Sequence, residues 1–337
     1  MKKIFYLLLI VIFPINIYSQ NVNDLNKKLL NAINAQDTGM VVKLFKEGAD
    51  LMQLSENVDV VFMQNLSKLQ NLFMQNEKYR EHILLTEFSV SYLEYIEMQL
   101  AEEYKDDIEY LDMIRTHKYF YFQELYNLSY SYRRLYFKLT MTEKGLLTKS
   151  EYYLLKCIKV LKDLSVNSME YLTVLRDLSL NYLDQKKFEE AEKYATELLL
   201  IVEQRNIKKE NSLFYSSILG IYSDVKSGVG NFDEALTYKL RQLDFIIEEF
   251  GKDFSYFMGL NSLSKLYETF GKIDEAEKQY FENLTIIQDI KGVYSFPYAE
   301  TILNLSFFYR NQGLKDKADL YLDKFSEIMN VINGVQE

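Results

Sequence analysis

A short pattern recurs at near-constant spacing through the C-terminal half of this chain, and it constrains the fold more than any other feature. Four segments align on an alanine: Tyr182–Ala191, Asn231–Ala235, Tyr267–Ala276 and Tyr309–Ala318. The alanines are 44, 41 and 42 residues apart, and a fainter copy places Ser150 another 41 residues before Ala191. Self-similarity at such a period belongs to stacked supersecondary units, none of which can bury its apolar face alone. Leu178, Ile218, Leu263 and Leu305 each precede a tyrosine by four residues, so each pair shares one helical face. In this alignment the second copy carries four extra residues around Lys226 to Gly230. Gly271 and Gly313 follow the tyrosine by four, and Gly230 holds the same place relative to Ala235. Glycine there suits a left-handed residue that ends one helix. The acidic residues that follow suit the positive start of the next. The expected unit is an antiparallel helix hairpin, with alanine at the close approach of its two helices.

This leucine, tyrosine, glycine and alanine pattern resembles the tetratricopeptide repeat (TPR). The usual TPR period is ~34 residues, and HEAT and armadillo units of ~40–47 residues are the alternative. The longer period here resembles the kinesin-light-chain type, as do the loops Gly251–Tyr256 and Gly292–Pro297. The resemblance implies an all-α, right-handed superhelical solenoid of antiparallel helix hairpins. Few prolines (2) and glycines (12) among 337 residues agree with helices throughout.

The chain opens on Lys2 and Lys3, an apolar run from Ile4 to Phe13, and then polar Asn16 and small Ser19. That order is expected of a secretory signal peptide over residues 1–19, cleaved after Ser19, because the run is short for a membrane span. No later segment is apolar enough to cross a bilayer. Losing Lys2 and Lys3 would take the net charge from −10 to −12. Such a chain repels phosphate backbones, so no nucleic-acid partner is expected. The single cysteine, Cys157, sits in an apolar helix and reads as a buried small hydrophobe.

Residues 20–56 form either an ankyrin-like unit or an irregular helical cap. Leu29–Asp50 resembles one ankyrin repeat, with a second helix over Met40–Glu47 and Gly48-Ala49-Asp50 at its end. Residues 57–148 read as degenerate helical repeats, with helices over Val60–Met74 and Tyr79–Tyr104, a charged break at Glu102–Glu109, and a tyrosine-rich helix over Lys118–Tyr136. Thr140–Lys149 reads as a long loop, and the regular repeats occupy 149–337.

Catalytic sets are not apparent. The two histidines, His82 and His117, stand on different helices without nearby cysteine, so no metal site or cofactor is expected. There is no Gly-x-Ser-x-Gly elbow, and Gly228-Val-Gly230 lacks the rest of a phosphate loop. The carboxylates Glu102, Glu103, Asp106 and Asp107 read as a solvated charge run. A non-enzymatic role follows.

The TPR resemblance puts the first helices on the hollow side of the stack. Counting back from each tyrosine, the groove-facing candidates are Arg176, Asp177, Ser216, Ser217, Asn261, Ser262, Lys265, Asn304 and Arg310. Asn304 occupies the place where the resembling family often holds a peptide backbone with asparagine, which both donates and accepts. The expected partner is a peptide or protein, and the alternative is a carbohydrate or small molecule captured at the cell envelope. A monomer or weak dimer is expected, with Lys315, Asp319, Asp323, Lys324 and Glu327 capping the last hairpin and self-association following if Leu320 and Phe325 are exposed.

Overall fold

The computed structural model describes residues 60–103, 108–164 and 168–334, together with isolated positions between 24 and 47. The expected signal peptide, the Gly48-Ala49-Asp50 end of the ankyrin-like segment and residues 104–107 of the charged break lie outside the described residues. Within the ankyrin-like segment Ala32 and Leu44 are buried. Among the described residues there are helices and no strands.

The chain divides into two units, residues up to 166 and residues from 167 onward. The first holds α1 (Val60–Gln75), α2 (Tyr79–Glu103), α3 (Ile108–Lys138) and α4 (Gly145–Leu164). The second holds four hairpins. They are α5 (Met169–Asp184) with α6 (Phe188–Gln204), α8 (Ser212–Gly228) with α9 (Phe232–Phe250), α10 (Phe254–Thr269) with α11 (Ile273–Lys291), and α12 (Phe296–Asn311) with α13 (Lys315–Ile332). A single extra turn, α7 (Ile207–Glu210), joins the first hairpin to the second. The expected start of the regular repeats, residue 149, falls inside α4. The expected loop at Thr140–Lys149 is shorter than anticipated, since α4 already begins at Gly145.

The second unit is built on one register. Ala191, Ala235, Ala276 and Ala318 are all completely buried at the start of second helices. Twelve residues before each stands a buried serine: Ser179, Ser223, Ser264 and Ser306. Serine and alanine together let the two helices of a hairpin close to backbone distance. Ser223 Oγ donates to the Ala235 carbonyl at 2.7 Å, and Ser306 Oγ donates to the Ala318 carbonyl at the same distance. Five residues before each alanine the backbone is left-handed, at Lys186 (φ 59°), Gly230 (84°), Gly271 (67°) and Gly313 (73°). The next residue's N–H then returns to a first-helix carbonyl: Lys187 to Tyr182, Asn231 to Lys226, Lys272 to Tyr267 and Leu314 to Tyr309. Acidic residues open every second helix, where the helix dipole favours them.

These bonds correct the alignment of the second copy. Lys226, not Tyr222, holds the tyrosine place, and Tyr222 holds the leucine place. The second copy therefore has no insertion around Lys226–Gly230. The surplus that stretches the first alanine spacing lies in residues 205–211, where the chain makes α7.

Lys186 is the one left-handed turn residue of the four without glycine's freedom. Lys186→Gly should raise the stability of the second unit by roughly 1 kcal/mol, and Gly271→Ala should lower it by about as much. Chemical denaturation of the two variants measures both; equal midpoints would contradict the assignment.

The first unit keeps the same turn in disguise. Glu77 is left-handed (φ 54°), and Lys78 N–H donates to the Phe73 carbonyl as Lys272 does to Tyr267. Phe73 is thus the tyrosine place and Leu69 the leucine place. His82 stands where alanine should, and Gln70 stands where serine should. Both are buried and are joined through Thr86: Gln70 Nε2 donates to Thr86 Oγ1 at 3.2 Å, and Thr86 Oγ1 lies 3.3 Å from His82 Nδ1. Two further rungs tie α2, α3 and α4. Glu94 accepts from the Tyr121 hydroxyl at 2.6 Å and from Lys156 at 2.8 Å. Seven residues earlier on α2, Glu87 accepts from Tyr132, whose hydroxyl also accepts from Lys149 at 3.2 Å. Cys157 is buried beside the Phe122 carbonyl, as its apolar setting implied.

At the last hairpin Leu320 is exposed, while Phe325 packs against the core formed by α11, α12 and α13.

Candidate functional site

The alanine register decides which first-helix residues are free. Among the positions eighteen, fourteen and eleven residues before the alanines are first-helix residues that are not buried. On α5 these are Thr173, Asp177 and Leu180; on α8, Ser217 and Asp224, the latter 3.4 Å from Lys239 of α9; on α10, Met258, Ser262 and Lys265; on α12, Glu300, Asn304 and Phe307. Met258 is 47% exposed and Phe307 50% exposed.

The nine predicted residues distribute unevenly over this face. Asn261 and Asn304 come together: Asn304 Nδ2 donates to Asn261 Oδ1 at 3.5 Å across α10 and α12. Two turns further on, Asn311 Nδ2 donates to Glu268 Oε1 at 3.0 Å, so the same two helices are laced twice. Lys265 is exposed beside them, and Ser262 returns its hydroxyl to the Met258 carbonyl at 3.2 Å. Arg176 and Asp177 pair with each other at 2.8 Å, and the Arg176 guanidinium also lies over the Phe214 ring at 5.5 Å. Ser217 is half-buried, its hydroxyl bonded to the Phe214 carbonyl at 2.7 Å.

Two positions depart from expectation. Ser216 is only 7% exposed, and its carbonyl accepts from Gln242 Nε2 at 3.1 Å, so it faces its own second helix. The displaced alignment of the second copy is the reason. Arg310 is exposed but turns to Asp319 of α13 at 3.5 Å, away from Asn304.

Met258, Glu300 and Phe307 were not among the predicted residues. Their signal was available, because each sits at the same offset from its alanine as residues that were singled out on neighbouring helices.

Burial lowers the His117 pKa against the pull of Glu97 and of its bond to the Leu93 carbonyl at 3.0 Å. Among the described residues no cluster of His, Cys, Asp and Glu is arranged to hold a metal ion. No helix there is long and apolar enough to cross a membrane.

No protein-family model matches the chain, and no characterised protein matches it by sequence. Solved structures do match in fold. The crystal structure of BtubC (BKLC) from P. vanneervenii aligns over 77% of this chain and 94% of its own, with a TM-score of 0.55 at 16% identity. The apo form of RapI aligns over 93% and 98%, with a TM-score of 0.53 at 10% identity. A tetratricopeptide repeat protein from Parabacteroides merdae ATCC 43184 aligns over 94% and 98%, with a TM-score of 0.51 at 15% identity. At such identities the likeness is one of fold: the chain is an all-α helical-repeat protein of TPR-like architecture.

Proposed function

We propose that this chain is an exported, non-enzymatic scaffold that holds an extended segment of a peptide or protein against the first helices of its second unit. The observation that carries the reading is the pairing of Asn261 with Asn304, flanked by exposed Met258 and Phe307. An extended chain needs both kinds of contact. Its backbone presents alternating donors and acceptors, which amides can match. Its side chains need apolar surface, which Met258 and Phe307 supply; methionine adapts its shape to different partners. The 3.5 Å Asn304–Asn261 bond is long, so a ligand backbone competes with it at little cost.

The leader-like start supports export. Absence of a catalytic constellation from the sequence supports a binding role.

The test is selection of peptides from a random displayed library by the chain beginning at Gln20. Enriched peptides are expected. Asn304→Ala should weaken them by up to about tenfold, the worth of one hydrogen bond to a backbone group. Phe307→Ala should weaken them further, with both variants still folded, since Phe307 is 50% exposed and the half-buried Asn304 gives up only one long bond to Asn261. Saturable binding of oligosaccharides with no enriched peptide would replace this reading by carbohydrate capture.

A further inference from the structure

The connection of residues 205–211 opens a second site, lined by residues distinct from the amide pair. Its two counterparts, residues 251–253 and 292–295, are shorter and make no helical turn. Here Asn206 is left-handed (φ 55°) and α7 follows it. Between this connection, the end of α6 and the outer face of α9 lies a cleft of about 540 Å³. Its floor is aromatic: Tyr215 and Phe245, each 3% exposed, meet edge to face at 5.0 Å between centroids. Leu240, 43% exposed, forms an aliphatic lip.

The charges lining the cleft are unevenly matched. Arg241 donates to Glu203 at 2.6 Å and to the Tyr215 hydroxyl. Lys208 stands 3.7 Å from Glu248 and over the Phe245 ring at 4.8 Å. Both cations are thereby engaged. Asp244, on α9 between Leu240 and Glu248, lines the same cleft; its carboxylate is exposed, pairs with neither cation, and acts only at a distance on Tyr256 of α10, whose pKa it helps to raise. Three carboxylates against two cations leave the cleft net negative.

We propose that this cleft binds an alkylammonium or guanidinium group carried on an apolar stem, as in a free alkylamine or the side chain of lysine or arginine in a polypeptide. The stem lies along Leu240 and the aromatic floor, and the cationic head meets Asp244. An anion would be repelled by the lining. A neutral apolar ligand would cover the Asp244 carboxylate and leave it without water or a partner, which is costly. A cation alone satisfies it, by a charge-assisted bond. The inference is independent of the reading of the first-helix face, because none of these residues belongs to that face.

Hexylammonium, hexanoate and the peptide acetyl-Leu-Lys-Leu-amide are the probes, titrated into the chain beginning at Gln20 and followed by calorimetry and by the Tyr and Phe ring resonances. Hexylammonium and the peptide are expected to bind, and hexanoate is not. Asp244→Asn should weaken both by about tenfold, the worth of one charged hydrogen bond. Asp289→Asn, an exposed carboxylate on α11 outside the cleft, should leave both unchanged. Peptide affinity well above that of hexylammonium marks a polypeptide side chain as the ligand; the reverse marks a free amine. Equal binding of hexanoate, no binding of either cation, or indifference to Asp244→Asn overturns the proposal.

Discussion

Replacing Glu124 with glutamine should stabilise the first unit by roughly 2–3 kcal/mol at pH 8 and by almost nothing at pH 4.5. Burial on α3 pushes the Glu124 carboxyl up to about 7, against the bonds it accepts from Gln70 at 2.7 Å and from Ser89. Its folded pKa is therefore above its unfolded value. The neutral acid is favoured in the fold, so this group's contribution is intact below about pH 4.5 and is lost as pH rises toward 7. His82 runs the other way. Burial lowers it from 6.5 to about 4, and Ser131 Oγ sits 2.9 Å from its Nδ1. The fold holds the neutral ring, so the contribution of His82 is intact above pH 6.5 and is lost as pH falls toward 4. The two slopes oppose each other across the same window, and the natural chain should show a nearly flat profile there. Glu124→Gln removes one slope and exposes the other, leaving stability that falls on the acid side. His82→Gln should do the converse and leave stability that falls as pH rises. Urea denaturation at half-unit steps from pH 4.5 to 8 reads both. Curves for Glu124→Gln and the natural chain that stay parallel throughout would show that Glu124 titrates normally.

That network also shows why the first unit was hard to read as repeats. The signal of a hairpin is a small residue at the close approach and a glycine at the turn. In α1 and α2 those places hold His82, Gln70 and Glu77, so the spacing survives in the backbone while every identifying residue is gone. Hydrogen bonds through Thr86 make a contact that alanine and serine make elsewhere by being small. In the second unit the alanines, the three glycine turns and the acidic helix starts were all legible, because each answers a local backbone demand that few residues can meet; the fourth left-handed turn, at Lys186, carries no such mark. The error in the second copy came from trusting an aromatic residue over a small one. Tyr222 is a plausible anchor on hydropathy alone, whereas the serine twelve residues before each alanine recurs in all four hairpins and points to Lys226 at once. Ser216 entered the candidate site through that shift. The cleft beside α7 was illegible for the same reason, since the surplus residues that make it were assigned to the wrong side of α8.

Lys226 itself is the sharpest test of the register. In the last hairpin the tyrosine place reaches back to the residue after the preceding alanine: the Tyr309 hydroxyl donates to Glu277. In the second hairpin Lys226 does the same with an ammonium, 2.7 Å from Glu192, the residue after Ala191, and 2.9 Å from Glu234, the residue before Ala235. Its stem is buried, and its nitrogen lies 5.1 Å from the centre of the Tyr222 ring. Lys226→Ala removes the buried stem and leaves two carboxylates facing each other. Because both are about one-third exposed, water offsets part of the loss, and the expected cost is about 2–3 kcal/mol rather than the larger figure for a fully buried pair. Lys226→Tyr alone should also cost stability, because Tyr222 already occupies the space against Tyr238, with ring centroids 4.5 Å apart. Adding Tyr222→Leu vacates that space and writes the leucine–tyrosine pattern of the other hairpins into this one. The new phenol can donate to Glu192 as Tyr309 does to Glu277, and stack on Tyr238 as Tyr182 stacks on Tyr194. The double variant should return to within about 1 kcal/mol of the natural chain, with a coupling between the two sites of at least that size. A double variant no more stable than Lys226→Tyr alone would mean that the tyrosine place in this hairpin lies elsewhere, and the shared register of the four hairpins would fail with it.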